Sequence, residues 1–128
     1  MKPDDGSMAV AMSGAVAIVA IVSIAVAGLG ALYSARAQAQ TAADAAALAA
    51  AVATYPPAST TSPVAAARIG ADENGANVLS CACPQDGTLE ARVVGVVVGI
   101  EIDVPIFGEW VVKGSSRAEF DPLRWLGR

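Results

Sequence analysis

Residues 8–32, MAVAMSGAVAIVAIVSIAVAGLGAL, contain no charged residue and no proline. Their only hydroxyls are Ser13 and Ser23, which can bond back to a helix carbonyl. As a helix rising about 1.5 Å per residue the stretch covers roughly 37 Å, more than a hydrocarbon core of about 30 Å. It is predicted to be a transmembrane helix. A cleavable secretory signal has an apolar core of only about 7–15 residues, so a secreted small binding protein with its first segment removed is the alternative reading.

Working outward, residues 1–7 are expected to be a cytoplasmic leader. Lys2 on one side opposes Arg36 on the other, so charge alone barely sets the orientation, and the acids Asp4 and Asp5 count for little. A short leader and a longer following domain favour N-terminus inside and the C-terminal domain outside the cytoplasm. Residues 33–55 are dominated by Ala, Gln and Arg, with neither Gly nor Pro. That composition extends the helix as an extracytoplasmic stalk to about Thr54. Pro56-Pro57 ends it, and residues 56–63 form a Pro/Ser/Thr linker.

Residues 64–121 are expected to form a small α/β-type domain. A second helix runs from Val64 to about Asn74, with Gly75 at its C-terminal cap. The clearest strand is Val94–Ile106, where Val94, Val96, Val98, Ile100, Ile102, Val104 and Ile106 alternate with Gly95, Val97, Gly99, Glu101, Asp103 and Pro105, a period that buries one face. Asn77–Cys83 is a shorter strand, followed by a turn around Gln85-Asp86-Gly87, and Trp110–Phe120 is a third after a turn at Gly108. Residues 122–128 are an exposed or loosely docked tail. The fold class is α+β, with a long N-terminal helix, a short second helix and a small antiparallel sheet in a pilin-like outline.

Composition narrows function. Hydrophobic residues are 55% of the 128 and charged ones 16%, so after the apolar segment too little chain remains for a large catalytic core. The net charge of −4, without any Lys/Arg cluster, argues against nucleic acid as a partner. The chain has no histidine, which excludes a Ser-His-Asp triad and a His-bearing zinc site. Glu101 and Asp103 share the solvent face of a strand, which is solvation rather than acid–base chemistry. Gly28-Leu29-Gly30 lacks the strand-to-helix context of a phosphate loop. The reading is a non-enzymatic protein with no cofactor, metal or small-molecule substrate.

Three features are candidates for function. Ser23, Ala27, Ala31, Ala35, Ala39, Ala43, Ala47 and Ala51 recur every four residues, a small-residue stripe that lets another helix approach closely. Asp44, the only charge between Arg36 and Arg68, is available to an arginine of a partner helix, or is simply solvated or satisfied by Thr41. Cys81 and Cys83 are two apart, on one face of a strand near the upper limit for bridging, leaving open a strained local disulfide, separate thiols or pairing with another chain. An oxidising compartment permits all three.

The acidic-Gly start Asp4-Asp5-Gly6-Ser7, the apolar span and Gln40-Thr41-Ala42-Ala43-Asp44-Ala45-Ala46-Ala47-Leu48-Ala49 resemble the TadE/TadG-like proteins of tight-adherence (Flp) pilus systems. Asn74-Gly75-Ala76, the following Cys81 and the Val-rich strand resemble the actinobacterial TadE-like branch encoded beside helicase and secretion genes. The resemblance implies a membrane-anchored minor pilin-like subunit, a scaffold whose partners are the lipid bilayer and other pilin-like or pilus-assembly subunits. It also implies a possible prepilin-type cut between Gly6 and Ser7. The glutamate expected at the fifth position beyond the cut is Ala11 here, which favours a membrane-retained accessory subunit over a filament builder.

Overall fold

The computed structural model describes residues 5–104 and 106–127, and the readings placed on Lys2, Asp4 and Pro105 lie outside them. Helix α1 spans Asp5–Ala53, followed by a 3-10 turn at Pro56–Ala58, α2 Pro63–Asp72, β1 Asn77–Ala82, β2 Arg92–Val104, β3 Gly108–Phe120 and the single-turn α3 Pro122–Trp125. The fold is therefore α+β, as the sequence predicts. The chain divides into two compact units, Met1–Tyr33 and Ser34–Arg128.

In the second unit, Pro56 stops α1 by forcing the residue before it into an extended conformation, with Tyr55 at φ −105°, ψ 102°. α2 begins one residue earlier than predicted, with Pro63 at its first position and the Ser62 hydroxyl accepting the Ala65 amide at 3.3 Å. At its far end Gly75 takes φ +71°. The Gly75 amide donates to Asp72 and the Ala76 amide to Ala71, each at 3.0 Å, the paired closure that a left-handed glycine permits.

The sheet has the order β1-β2-β3 and is antiparallel throughout. Along β2 the predicted alternation holds: Val94, Val96, Val98 and Ile100 are buried, and Glu101 and Asp103 are exposed. Opposite them on β3, Ala118, Ser116, Gly114 and Val112 complete the same face. β2 starts two residues sooner than expected, at Arg92, and stops at Val104. Ile106, expected to continue the buried face, is 86% exposed. Its φ of +80° is incompatible with extended strand, and the Phe107 amide closes a turn onto the Val104 carbonyl at 3.0 Å. β1 ends at Ala82 instead of Cys83 and carries a register shift between Val78 and Ser80.

The core joins this face to alanines. Ala35, Ala39, Ala42, Ala43, Ala46, Ala47, Ala50 and Ala51 are at most 6% exposed and cluster with Val94, Val96, Val98, Ile100, Val112 and Phe120. Methyl-sized side chains on one layer let the backbones approach, and two glycines complete the approach. A methyl on Gly114 would lie 2.5 Å from the Ala39 carbonyl carbon, and one on Gly70 of α2 would lie 3.0 Å from the Ala45 carbonyl oxygen. Gln38 Nε2 donates to the Asn74 carbonyl at 3.1 Å, tying α2 to α1.

The C-terminal tail is largely exposed, with Leu123, Arg124, Trp125 and Leu126 open to the outside and a few contacts back to the unit. Asp121 accepts the Leu123 amide at 3.0 Å and caps α3, Pro122 is buried, and Trp125 stands 6.4 Å from Tyr55 and 6.5 Å from Phe120 between ring centroids.

Candidate membrane and assembly interface

Within Met1–Tyr33 the described part of α1 buries almost nothing in its own chain. Met8, Val10, Met12, Val16, Ile18, Val19, Ile21, Val22, Ile24, Val26 and Leu29 are each 54–72% exposed and surround the helix. Exposing so many large apolar side chains on every side is what a helix bathed in hydrocarbon does. The two hydroxyls are already satisfied, Ser13 Oγ donating to the Val10 carbonyl at 2.9 Å and Ser23 Oγ to the Val19 carbonyl at 2.8 Å. No side-chain donor in the apolar run is thereby left unpaired for lipid to accommodate.

The small-residue stripe is divided. From Ala35 onward its members Ala35, Ala39, Ala43, Ala47 and Ala51 are buried in the chain's own core, where β2 and β3 present mostly small or β-branched side chains together with Phe120. Ala35 and Ala39 are therefore not open to a partner helix, a correction to the sequence reading. Ser23, Ala27 and Ala31 stay exposed.

Asp44 is exposed, and its neighbour is not Thr41. Gln40 Nε2 donates to Asp44 Oδ1 at 3.1 Å and also to the Ser115 carbonyl at 3.1 Å, while Thr41 Oγ1 turns back to the Ala37 carbonyl at 3.0 Å. Gln40 thus links the one acid of this helix segment to β3. Leu48, one turn beyond Asp44, is 64% exposed and was not singled out from sequence. Its signal was its phase, four residues from Asp44 and outside the buried set.

Cys81 and Cys83 are joined to each other in the structure. The chain leaves the strand after Ala82, which brings the two Cα atoms to 5.3 Å, inside the usual range for a bridge. The loop closed is tiny, so replacing both cysteines by alanine is expected to lower stability by less than about 2 kcal/mol. Urea denaturation of the oxidised protein and the double variant checks this.

The segment after the disulfide is held by Arg92. Its guanidinium donates to the carbonyls of Thr54 at 3.2 Å and Glu90 at 3.0 Å, and to those of Asp86 and Thr88. The Asp86 amide reaches the same Thr54 carbonyl at 3.0 Å, so the end of α1 and the loop share one polar knot. The Thr88 amide and hydroxyl hold the Asp86 carboxyl below its ordinary value. Glu101 and Asp103 lie on the outer face of the sheet, their cross-strand partners being Val111 and Glu109. Among the described residues, no group of three or more His, Cys, Asp or Glu is arranged to hold a metal.

Residues 6–53 match the family model described as putative Flp pilus-assembly TadE/G-like. The match coincides with α1, the segment that is apolar and exposed at one end and sheet-covered at the other, so the likeness to TadE/G-like Flp pilus-assembly proteins lies in this helix. Comparison with curated proteins and with solved structures gave no match. That likeness and the long apolar helix fit a membrane-associated pilus-assembly component, and the likeness points to a structural role.

Proposed function

We propose that the chain is a membrane-anchored, TadE-like minor pilin-like subunit of a Flp/Tad pilus or related secretion assembly, acting as a scaffold. The observation that carries this is the coincidence of the family match with a helix whose first part is uniformly apolar and exposed. Residues 8–32 anchor it, with the N-terminus cytoplasmic and residues 33–128 outside, where the bonded pair Cys81–Cys83 suits an oxidising compartment. Partner helices pack in the membrane on Ser23, Ala27 and Ala31, and outside it on the face bearing Asp44 and Leu48. Ala11, in place of the glutamate that registers filament subunits, supports a subunit retained in the membrane.

The mature N-terminus tests the reading. Mass spectrometry of the alkali-resistant membrane fraction is expected to find Met1 or, after processing at Gly6, Ser7. A start near Ala35 or Ala39 defeats the proposal in favour of a secreted protein. Ala39 is fully buried under the sheet, so a cut there would also strip Ala35 from the core.

A further inference from the structure

Ile106 and Phe107, 86% and 72% exposed, are the most exposed large apolar side chains of Ser34–Arg128 among the described residues, and Trp110 beside them is 53% exposed. All three belong to the tip of the β2–β3 hairpin. Ile106 holds φ +80°, a conformation that β-branched residues rarely adopt and that glycine or asparagine would take at less cost. An isoleucine that is both strained and presented to the outside contributes nothing to this unit's own core.

The position of the tip in the unit follows from three contacts. At the open end of the hairpin, Phe120 lies 6.2 Å from Tyr55 between ring centroids, and Arg92 reaches the Thr54 carbonyl. Six residues back along β3, Gly114 rests on the Ala39 backbone. From Gly114 the strand runs six residues further to Gly108, roughly 20 Å, away from the Tyr55 end of the unit. The tip therefore belongs to the Ser34 end of the unit, where the chain enters its apolar run.

We propose that this tip is a second, interfacial membrane contact, with Ile106, Phe107 and Trp110 seated at the headgroup–acyl boundary of the bilayer crossed by residues 8–32. The inference rests on the anchor reading given above. Its chemistry suits that boundary. Trp110 Nε1 donates to the Phe107 carbonyl at 3.1 Å, so the indole enters a drier region with its donor satisfied. Glu101, Asp103 and Glu109 are exposed around the tip, and residues 101–112 contain no lysine or arginine. That acidic collar limits insertion to the tip and gives it no attraction to anionic lipid. Three side chains suffice because the covalent anchor already holds the unit at the membrane, which raises the effective concentration of the surface.

The chain has two tryptophans, so the full-length Trp125→Phe protein reports Trp110 alone and the full-length Trp110→Phe protein reports Trp125 alone. Each is reconstituted in phosphatidylcholine vesicles with and without lipid brominated high on the acyl chain. Brominated lipid is expected to remove on the order of half of the Trp110 emission and little of the Trp125 emission. Adding phosphatidylserine should not increase the effect, and Ile106→Ser with Phe107→Ser should reduce it. If Trp110 is as insensitive as Trp125 in protein that floats with the vesicles, the interfacial contact is overturned and the anchor stands. A Trp110 emission that instead shifts with protein density, and not with bromine, assigns the tip to a second copy and overturns the lipid contact. Protein that fails to float overturns the anchor and the inference with it.

Discussion

Gly114→Ala is expected to be among the most damaging single substitutions in Ser34–Arg128, although it adds one methyl. That methyl has nowhere to go: it meets the Ala39 carbonyl carbon at 2.5 Å and the Gln40 amide nitrogen at 2.9 Å. Both obstacles are backbone, fixed in the interior of a helix, so no rotamer change relieves the clash. β3 has to lift from α1, loosening Val98 and its neighbours and breaking the 3.1 Å bond from Gln40 to the Ser115 carbonyl. Overpacking of this kind costs about 3 kcal/mol or more, against a total stability of about 5–15 kcal/mol for a domain. Thermal unfolding of the micelle-solubilised protein should show a fall in Tm of about 10 °C or more. Lys113→Ala, one residue away on the exposed face, should leave the midpoint nearly unchanged. Equal effects of the two would refute the close approach.

Arg92→Met is expected to be nearly as severe, through polar loss instead of crowding. Arg92 is only 9% exposed, and its guanidinium is held chiefly by carbonyls, with no carboxylate salt-bridged to it among the described residues. Methionine keeps an aliphatic stem but deprives the carbonyls of Asp86, Thr88 and Glu90 of their shared donor. The expected cost is about 2–4 kcal/mol. The Thr54 carbonyl keeps the Asp86 amide only while the loop stays in place. Hydrogen exchange should therefore show protection lost first across residues 84–91 and then at the end of α1. Arg92→Lys should fall between, since an ammonium cannot span the carbonyls that a planar fork reaches together. Uniform loss of protection over the whole unit would argue against a local latch.

Elements written in a strong local code were legible from sequence. The alternation of Val94 to Val104 announces a half-buried strand, and Pro56-Pro57 announces the end of α1 whatever the surroundings. Gly75 and Gly108 likewise mark turns by chemistry that acts within a few residues. The packing face of α1 was illegible because exposed and buried positions are both alanine: Ala37 and Ala39 look alike in sequence, yet one is exposed and the other fully buried. A stripe seemingly offered to a partner therefore turned out, from Ala35 on, to be the floor of the chain's own core. Gly114 and Arg92 were missed for a related reason. Their roles depend on Ala39 and Thr54, far away in sequence, and no local pattern records such distances. The left-handed backbone at Ile106 ran against the residue's preference, which misdirected the reading of the strand end.

The alanine floor has one further consequence, in how the domain can change over time. A core built from leucine and phenylalanine can drift both ways, losing volume at one position and regaining it at another. Here the floor residues already carry the smallest side chain above glycine, and two of their contacts are glycine itself. Almost every random substitution on that face adds volume that no neighbour can give back, while the outward face, with Asp44 and Leu48, is free to vary. Divergence in this unit should thus be confined to one side of α1, leaving the exposed face to change while the buried seam stays nearly fixed.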